Sequence, residues 1–299
     1  MSLLWVPVAL IAAAAQTARN ATQVSLTRTL GTAGATQVRF LFGLPFAVLF
    51  LALVTTATGE APPALTARAS AFTLLGAVAQ IGATALMLVT MKSQSFAVTT
   101  AWLKTEPVIV ALSAAIILGE ALSWTALVAI AIATAGVVVM SIKPGPRPSE
   151  WFRLGPALTG LAAAGLFGLS AIGFRGAVTG LESGGYFIRS TTTLVLSLSL
   201  QTAILLVWLL AFDRSALRAS FRIWRASLGA GFLGAFASQF WFLGFSLTTA
   251  ANVRTLALAE VIFAQAVARF HLGQKLTARQ AVGMALIILG VGLLLRSQA

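Results

Sequence analysis

Cysteine is absent from this chain, and histidine, tyrosine and aspartate each occur once. Without cysteine there is no disulfide framework, no thiolate nucleophile and no Cys-based metal site. A single histidine, His271, leaves the common hydrolytic enzymes without their parts, since no HExxH, no GxSxG and no pair of aspartates occurs. Charge is scarce as well. Only 9% of the residues are charged while 59% are hydrophobic, and the mean hydropathy is +0.95. A soluble domain carries roughly 25% charged residues. This chain cannot clothe its surface in polar groups, so its solvent is largely lipid.

What charge there is has one dominant sign. Twenty Lys and Arg against seven acids give a net charge of +13. In a soluble protein such a balance suggests nucleic acid. Here the basic residues sit singly or in small groups between apolar runs, with few stacking aromatics beside them. Anchoring of loops at anionic headgroups accounts for that distribution, and no nucleic-acid partner is expected. The N-terminus lacks a basic leader before its apolar run, which reads as one of a series rather than as a cleavable signal.

A spanning helix needs about 20 apolar residues. Breaks at polar, Gly and Pro positions divide the chain into ten such runs, at about 3–22, 33–57, 70–91, 96–118, 121–142, 154–175, 184–211, 226–248, 251–271 and 277–296. The sharpest boundary is "IKPGPRPSEWFRLGP", with four prolines midway along the chain. It predicts two five-helix units, residues 1–142 and 154–299, joined by a linker at 143–153. With a constant offset of 154 and no gaps, Ala97–Met140 lies over Ala251–Leu294 and matches Glu106 with Glu260, Gly119 with Gly273, and Gly136 with Gly290. Arg39 and Arg189 correspond at an offset of 150. Five helices is an odd number, so a duplicated unit enters the membrane from the opposite side. The expected fold is an all-α integral membrane protein with two inverted repeats around a central cavity. Lys and Arg gather in the loops after the odd-numbered helices, notably Arg28, Lys143, Arg147 and the stretch "FDRSALRASFRIWR". That bias makes those loops cytoplasmic and both termini extracytoplasmic.

Five of the seven acids fall in loops or at helix ends, where a solvated charge is ordinary. Glu106 and Glu260 fall inside apolar runs. A charge at the bilayer centre costs about 2.5–3.5 kcal/mol even on a lenient scale. These two acids therefore pair with a cation, touch a substrate or titrate, and the sequence leaves all three open. Arg19, Arg39 and Arg189 are candidate partners. Pro107 removes a backbone donor next to Glu106 and marks a helix break. Helical spacing puts Thr99, Trp102 and Glu106 on one face, Gln80, Thr84 and Met87 on another, and Ser238, Trp241 and Phe245 on a third with Gln239 beside them. Asn252 and Arg254 open the ninth run. These residues are the candidate lining of a substrate cavity with aromatic and amide or hydroxyl walls; ordinary packed or lipid-facing aromatics are the competing reading for Trp102 and Trp241. Trp5, Trp124, Trp151, Trp208 and Trp224 lie near expected helix ends, as an interfacial belt would. Gly/Ala faces in runs six, eight and ten mark close helix packing.

The pair "TEPVIVALSAAIILGEAL" and "AEVIFAQAVARFHLGQKL", each late in a five-helix unit, resembles EamA-type transporters of the drug/metabolite transporter superfamily, and the likeness runs through both halves. Among them the aromatic amino acid exporters look most similar. The resemblance implies an inner-membrane exporter with alternating access, and it puts Trp102 where an aromatic residue lines the cavity. The second unit departs from the pattern with Glu260-Val261 in place of Glu-Pro and Gln274 in place of Glu120. Amino acids are the first expected cargo; nucleosides, sugars or cationic drugs are the alternative. No cofactor or metal is expected. Proton coupling, and a monomer against a homodimer, stay open.

Overall fold

The computed structural model describes residues 3–93, 102–120, 123–141, 154–259, 261–262 and 277–296, and among them the secondary structure is helical throughout. The helices are α1 (Trp5–Leu41), α2 (Leu44–Thr58), α3 (Ala67–Ser93), α4 (Glu106–Ser113, extended by a π-turn to Leu118), α5 (Trp124–Ser141), α6 (Leu154–Thr179), α7 (Tyr186–Phe212), α8 (Arg214–Arg222), α9 (Trp224–Leu247), α10 (Ala250–Leu256) and α11 (Ala278–Arg296). Six described stretches are long and apolar enough to cross a membrane: Ser25–Thr58, Ala67–Met91, Leu158–Thr179, Tyr186–Phe212, Trp224–Leu247 and Ala278–Arg296. Glu106–Leu118 and Trp124–Val139 are shorter apolar helices. Leu53, Val207, Ile288 and Leu289 point outward and are more than half exposed, as a lipid-facing surface requires.

The first two runs differ from expectation. The polar stretch after residue 22, read as a loop with Arg28, is helical through Leu30. Thr22 and Ser25 return their hydroxyls to carbonyls within their own helix, Thr22 to Ala18 at 2.7 Å and Ser25 to Thr22 at 2.7 Å. Leu26 and Leu30 bury an apolar stripe. Chain reversal is confined to Gly31, whose φ of 68° and ψ of −178° suit glycine alone. Gln23 then bridges the bend, its amide donating to the Ala35 carbonyl at 3.2 Å. The second run is interrupted at Phe42–Gly43, where α9 passes close to the backbone: a Cβ on Gly43 would lie 3.1 Å from the Gly231 carbonyl oxygen. The basic stretch after α7 is the short helix α8, not an open loop, and Asp213 caps its N-terminus by accepting from the Ala216 amide at 3.0 Å.

Helices pack most extensively as the pairs α3 with α6, α5 with α11, and α1 with α9. Apolar side chains gain nothing by leaving lipid for one another, so close backbone approach drives such pairing. A Cβ on Gly173 would fall 2.6 Å from the Gly76 amide nitrogen. On the second seam, a Cβ on Gly136 would meet the Gly283 carbonyl at 2.7 Å, and one on Gly290 the Ala129 carbonyl at 2.7 Å. Those two contacts are exchanged by the sequence offset of 154, which carries Gly136 to Gly290 and Ala129 to Gly283. Trp124, Trp208 and Trp224 are exposed near helix ends, but Trp5 is buried within the main core. Trp151 lies outside the described residues.

Candidate functional site

The polar interior is assembled around Glu106. Trp102 and Leu103 are helical, Lys104 and Thr105 form a turn, and α4 begins afresh at Glu106. Thr105 closes the turn with its hydroxyl on the Trp102 carbonyl at 2.7 Å. Pro107 thus stands in the first turn of α4, where its missing N–H would have had no helical partner. The Glu106 carboxylate sits at the positive end of the α4 dipole.

Arg254 comes from the opposite direction on α10, all of whose residues are buried. Its Nε lies 3.1 Å from Glu106 Oε1. Neither atom has an aligned hydrogen bond, so the pair is held by charge more than by direction. The guanidinium carbon is 4.3 Å from the centroid of the Trp241 ring and 5.5 Å from that of Phe245. Trp241 is fixed in turn, its indole N–H donating to Gln16 Oε1 on α1 at 2.9 Å. Asn252, two residues before Arg254, donates to the Thr248 hydroxyl at 3.0 Å.

Three further cations stand within electrostatic reach: Arg19 and Arg39 on the two limbs of α1, and Lys104 in the turn before α4. Arg19 is 2% and Arg39 1% exposed, and arginine reaches such burial rarely unless paired. Arg19 donates Nε and Nη2 to the Asn20 side chain at 3.3 and 3.0 Å. Arg39 Nη1 donates to the Thr84 hydroxyl at 3.3 Å, its Nε has no hydrogen-bond partner, and its guanidinium carbon lies 5.1 Å from the Phe40 ring centroid. Arg254, Lys104 and Arg19 therefore face one acid among the described residues, Glu106, while Arg39 faces Arg19 and Arg254.

Beyond Arg39 runs a neutral network. Thr84 donates to the Gln80 carbonyl at 2.8 Å, and Gln201 on α7 donates to Gln80 Oε1 at 2.9 Å. Ser197 donates to Gln201 Oε1 at 3.3 Å. Gln239 on α9 donates to the hydroxyls of Thr191 and Ser190 at 2.9 and 3.3 Å. A second ion pair joins Arg175 Nε to Glu120 Oε1 at 2.8 Å, and the same arginine donates to the Phe245 carbonyl. Glu120, read from sequence as an ordinary solvated helix end, is thus tied to α6 and α9.

Of the predicted lining, Glu106, Trp241 and Arg254 come together directly, and Gln80 and Thr84 join through Arg39. Ser238 is buried on α9. Gln239 serves the α7–α9 seam. Trp102 packs on α6, where a Cβ on Gly160 would lie 2.9 Å from its own Cβ. Thr99 and Glu260 lie outside the described residues. Sequence reasoning missed Gln16, Thr191 and Gln201, and named Arg19 and Arg39 only as partners for an acid. The cost of burial that singled out the glutamates applies equally to those arginines. Among the described residues no group of three or more His, Asp or Glu side chains could hold a metal ion.

Residues 154–296 match the EamA-like transporter family, a family of membrane transporters. No curated protein matches the chain. A crystal structure superposes with a TM-score of 0.70 over 99% of this chain and 98% of its own, at 15% identity. At that identity the likeness establishes a shared fold alone.

Proposed function

We propose that the protein is a multi-pass secondary transporter of the drug/metabolite transporter superfamily that exports small metabolites across an inner membrane by alternating access. Aromatic and neutral amino acids are the first cargo to test. One observation carries this reading: in a lipid-facing helical bundle, the chain places Glu106, Arg254 and Trp241 at the meeting point of α1, α4, α9 and α10. Charges so placed are expensive in a membrane protein and mark substrate or ion pathways. The EamA-like match in the second half agrees with it.

An inverted repeat of five helices in each half is part of the proposal. If α1, α3 and α5 correspond to α6, α9 and α11, the α1–α9 and α3–α6 pairs exchange under the repeat and α5–α11 maps onto itself. The three most extensive packings support that symmetry. Cationic drugs are the least favoured cargo, because the interior already carries excess positive charge. Counterflow into proteoliposomes, with labelled amino acids, nucleosides, sugars and small organic anions, tests the function. Saturable flux of one class, reduced at least tenfold by Trp241→Ala, is expected. Folded protein with no flux for any class would sink it.

A further inference from the structure

We infer that the cluster of Arg19, Arg39 and Arg254 binds a small organic oxyanion, a carboxylate or phosphate ester carrying more negative than positive charge. This rests on the transporter reading and narrows its substrate class from amino acids in general to net anions.

The first support is the charge inventory. Arg19 and Arg254 act on Glu106, Arg39 acts on Arg19 and Arg254, and no second acid acts on these three arginines among the described residues. Glu260 is the one other acid within an apolar run. Were it also counted, the three arginines would still outnumber the acids by one. Buried charges in proteins are paired or hold a ligand.

The second support is donor geometry. A guanidinium offers five N–H groups and no acceptor. Arg39 spends one of them on Thr84, at 3.3 Å, and its buried Nε has no hydrogen-bond partner. Arg19 directs both of its described hydrogen bonds to the one oxygen of Asn20. The remaining N–H groups suit the fork geometry by which arginine takes carboxylate and phosphate. The side-chain oxygens of Gln80 and Gln201 are already taken, by Gln201 and Ser197 respectively. Beside Arg254, Trp241 and Phe245 supply an apolar wall on which an organic body can lie. An inorganic ion would leave that wall unused.

The test uses the full-length protein in lipid nanodiscs and reads Trp fluorescence and calorimetric heats at constant ionic strength. The probes are succinate, phenyl phosphate, zwitterionic phenylalanine and inorganic phosphate. Saturable binding of succinate or phenyl phosphate, at least tenfold tighter than phenylalanine, is expected. Arg39→Gln should weaken it at least tenfold, Arg39→Lys less, and Arg218→Gln on the exposed helix α8 not at all. Thr84→Val, which removes only the hydroxyl holding Arg39, gives a second reading if Arg39→Gln misfolds; a several-fold loss is expected. Phenylalanine binding as tightly as the anions would overturn the inference and leave the transporter reading intact. Inorganic phosphate binding as tightly as phenyl phosphate would also overturn it, and so would the absence of saturable binding by both organic anions. Anion binding without flux of any probe in proteoliposomes would instead break the transporter reading.

Discussion

Glu106→Gln removes the one described acid that Arg254, Lys104 and Arg19 face, and it should be the most destabilising change in the polar interior. At the observed 3.1 Å from Arg254, and with an effective dielectric constant of about 20, the pair attracts by about 5 kcal/mol. Glutamine preserves shape but forfeits that attraction and leaves the cations facing one another. Removing one partner of a buried pair costs about 3–5 kcal/mol. For a chain of this size that lowers Tm by roughly 6–10 °C, at about 2 °C per kcal/mol. Arg254→Gln breaks the same pair, yet it also relieves repulsion among the cations. Glu106 then still has Arg19 and Lys104 within electrostatic reach. Its main loss is the contact with Trp241, worth about 0.5–2 kcal/mol. The Tm drop for Arg254→Gln should therefore be less than half that for Glu106→Gln. Thermal unfolding of both variants in the same nanodisc lipid, followed by scattering and Trp fluorescence, gives the comparison. An equal or larger drop for Arg254→Gln would refute the charge-imbalance reasoning.

Gly290→Ala should cost about 1–3 kcal/mol in the same assay, because its Cβ would lie 2.6 Å from the Ala133 amide nitrogen on α5, a backbone atom that cannot swing away. Gly292→Ala, with nothing within 4 Å of its Cβ, is the neutral control. Gly31→Ala also meets open space, but its φ of 68° makes it destabilising by about 1–3 kcal/mol through the backbone alone. Gln201→Leu leaves Gln80 Oε1 without its donor and should cost about 1–3 kcal/mol. At the cap of α8, Ser215 and then the Ala216 amide hold the Asp213 carboxyl below its ordinary 3.8. A depressed folded-state pKa contributes stability that is full above that ordinary value and is lost as pH falls below it. Amide exchange in α8 should accordingly accelerate only at pH under about 3.8, and in Asp213→Ala should be fast at every pH.

Apolar runs made the membrane class plain, since a chain with 9% charged residues has no soluble surface to offer. Helix ends were another matter. The stretch from Gln23 to Leu30 reads as a loop by polarity, but Thr22 and Ser25 satisfy their hydroxyls within the helix and expose little polarity to lipid. The turn was written instead in Gly31, one glycine among 26, and composition does not distinguish a glycine that reverses the chain from one that packs a seam. Glu-Pro was read as a helix break from the same chemistry that makes it a helix start; the chain is interrupted two residues earlier, at Lys104 and Thr105, where no glycine or proline announces it. The basic stretch after α7 carries Arg214, Arg218 and Arg222 at four-residue spacing, a periodicity that spelled α8.

For the site, rarity misdirected the reading. Seven acids are few enough to inspect singly, so the two glutamates within apolar runs stood out. Twenty cations invited a statistical treatment by loop bias, and that treatment put Arg28 into a loop that is helix. Yet a buried arginine is no less costly than a buried glutamate. Arg19 and Arg39 occupy apolar runs as plainly as Glu106 does, and each needs its own explanation. An acid faced by Arg254, Lys104 and Arg19 is over-satisfied, so the glutamate explains one arginine at most. The unexplained charges are positive. They, rather than the carboxylate the sequence points to first, define what the interior is built to receive.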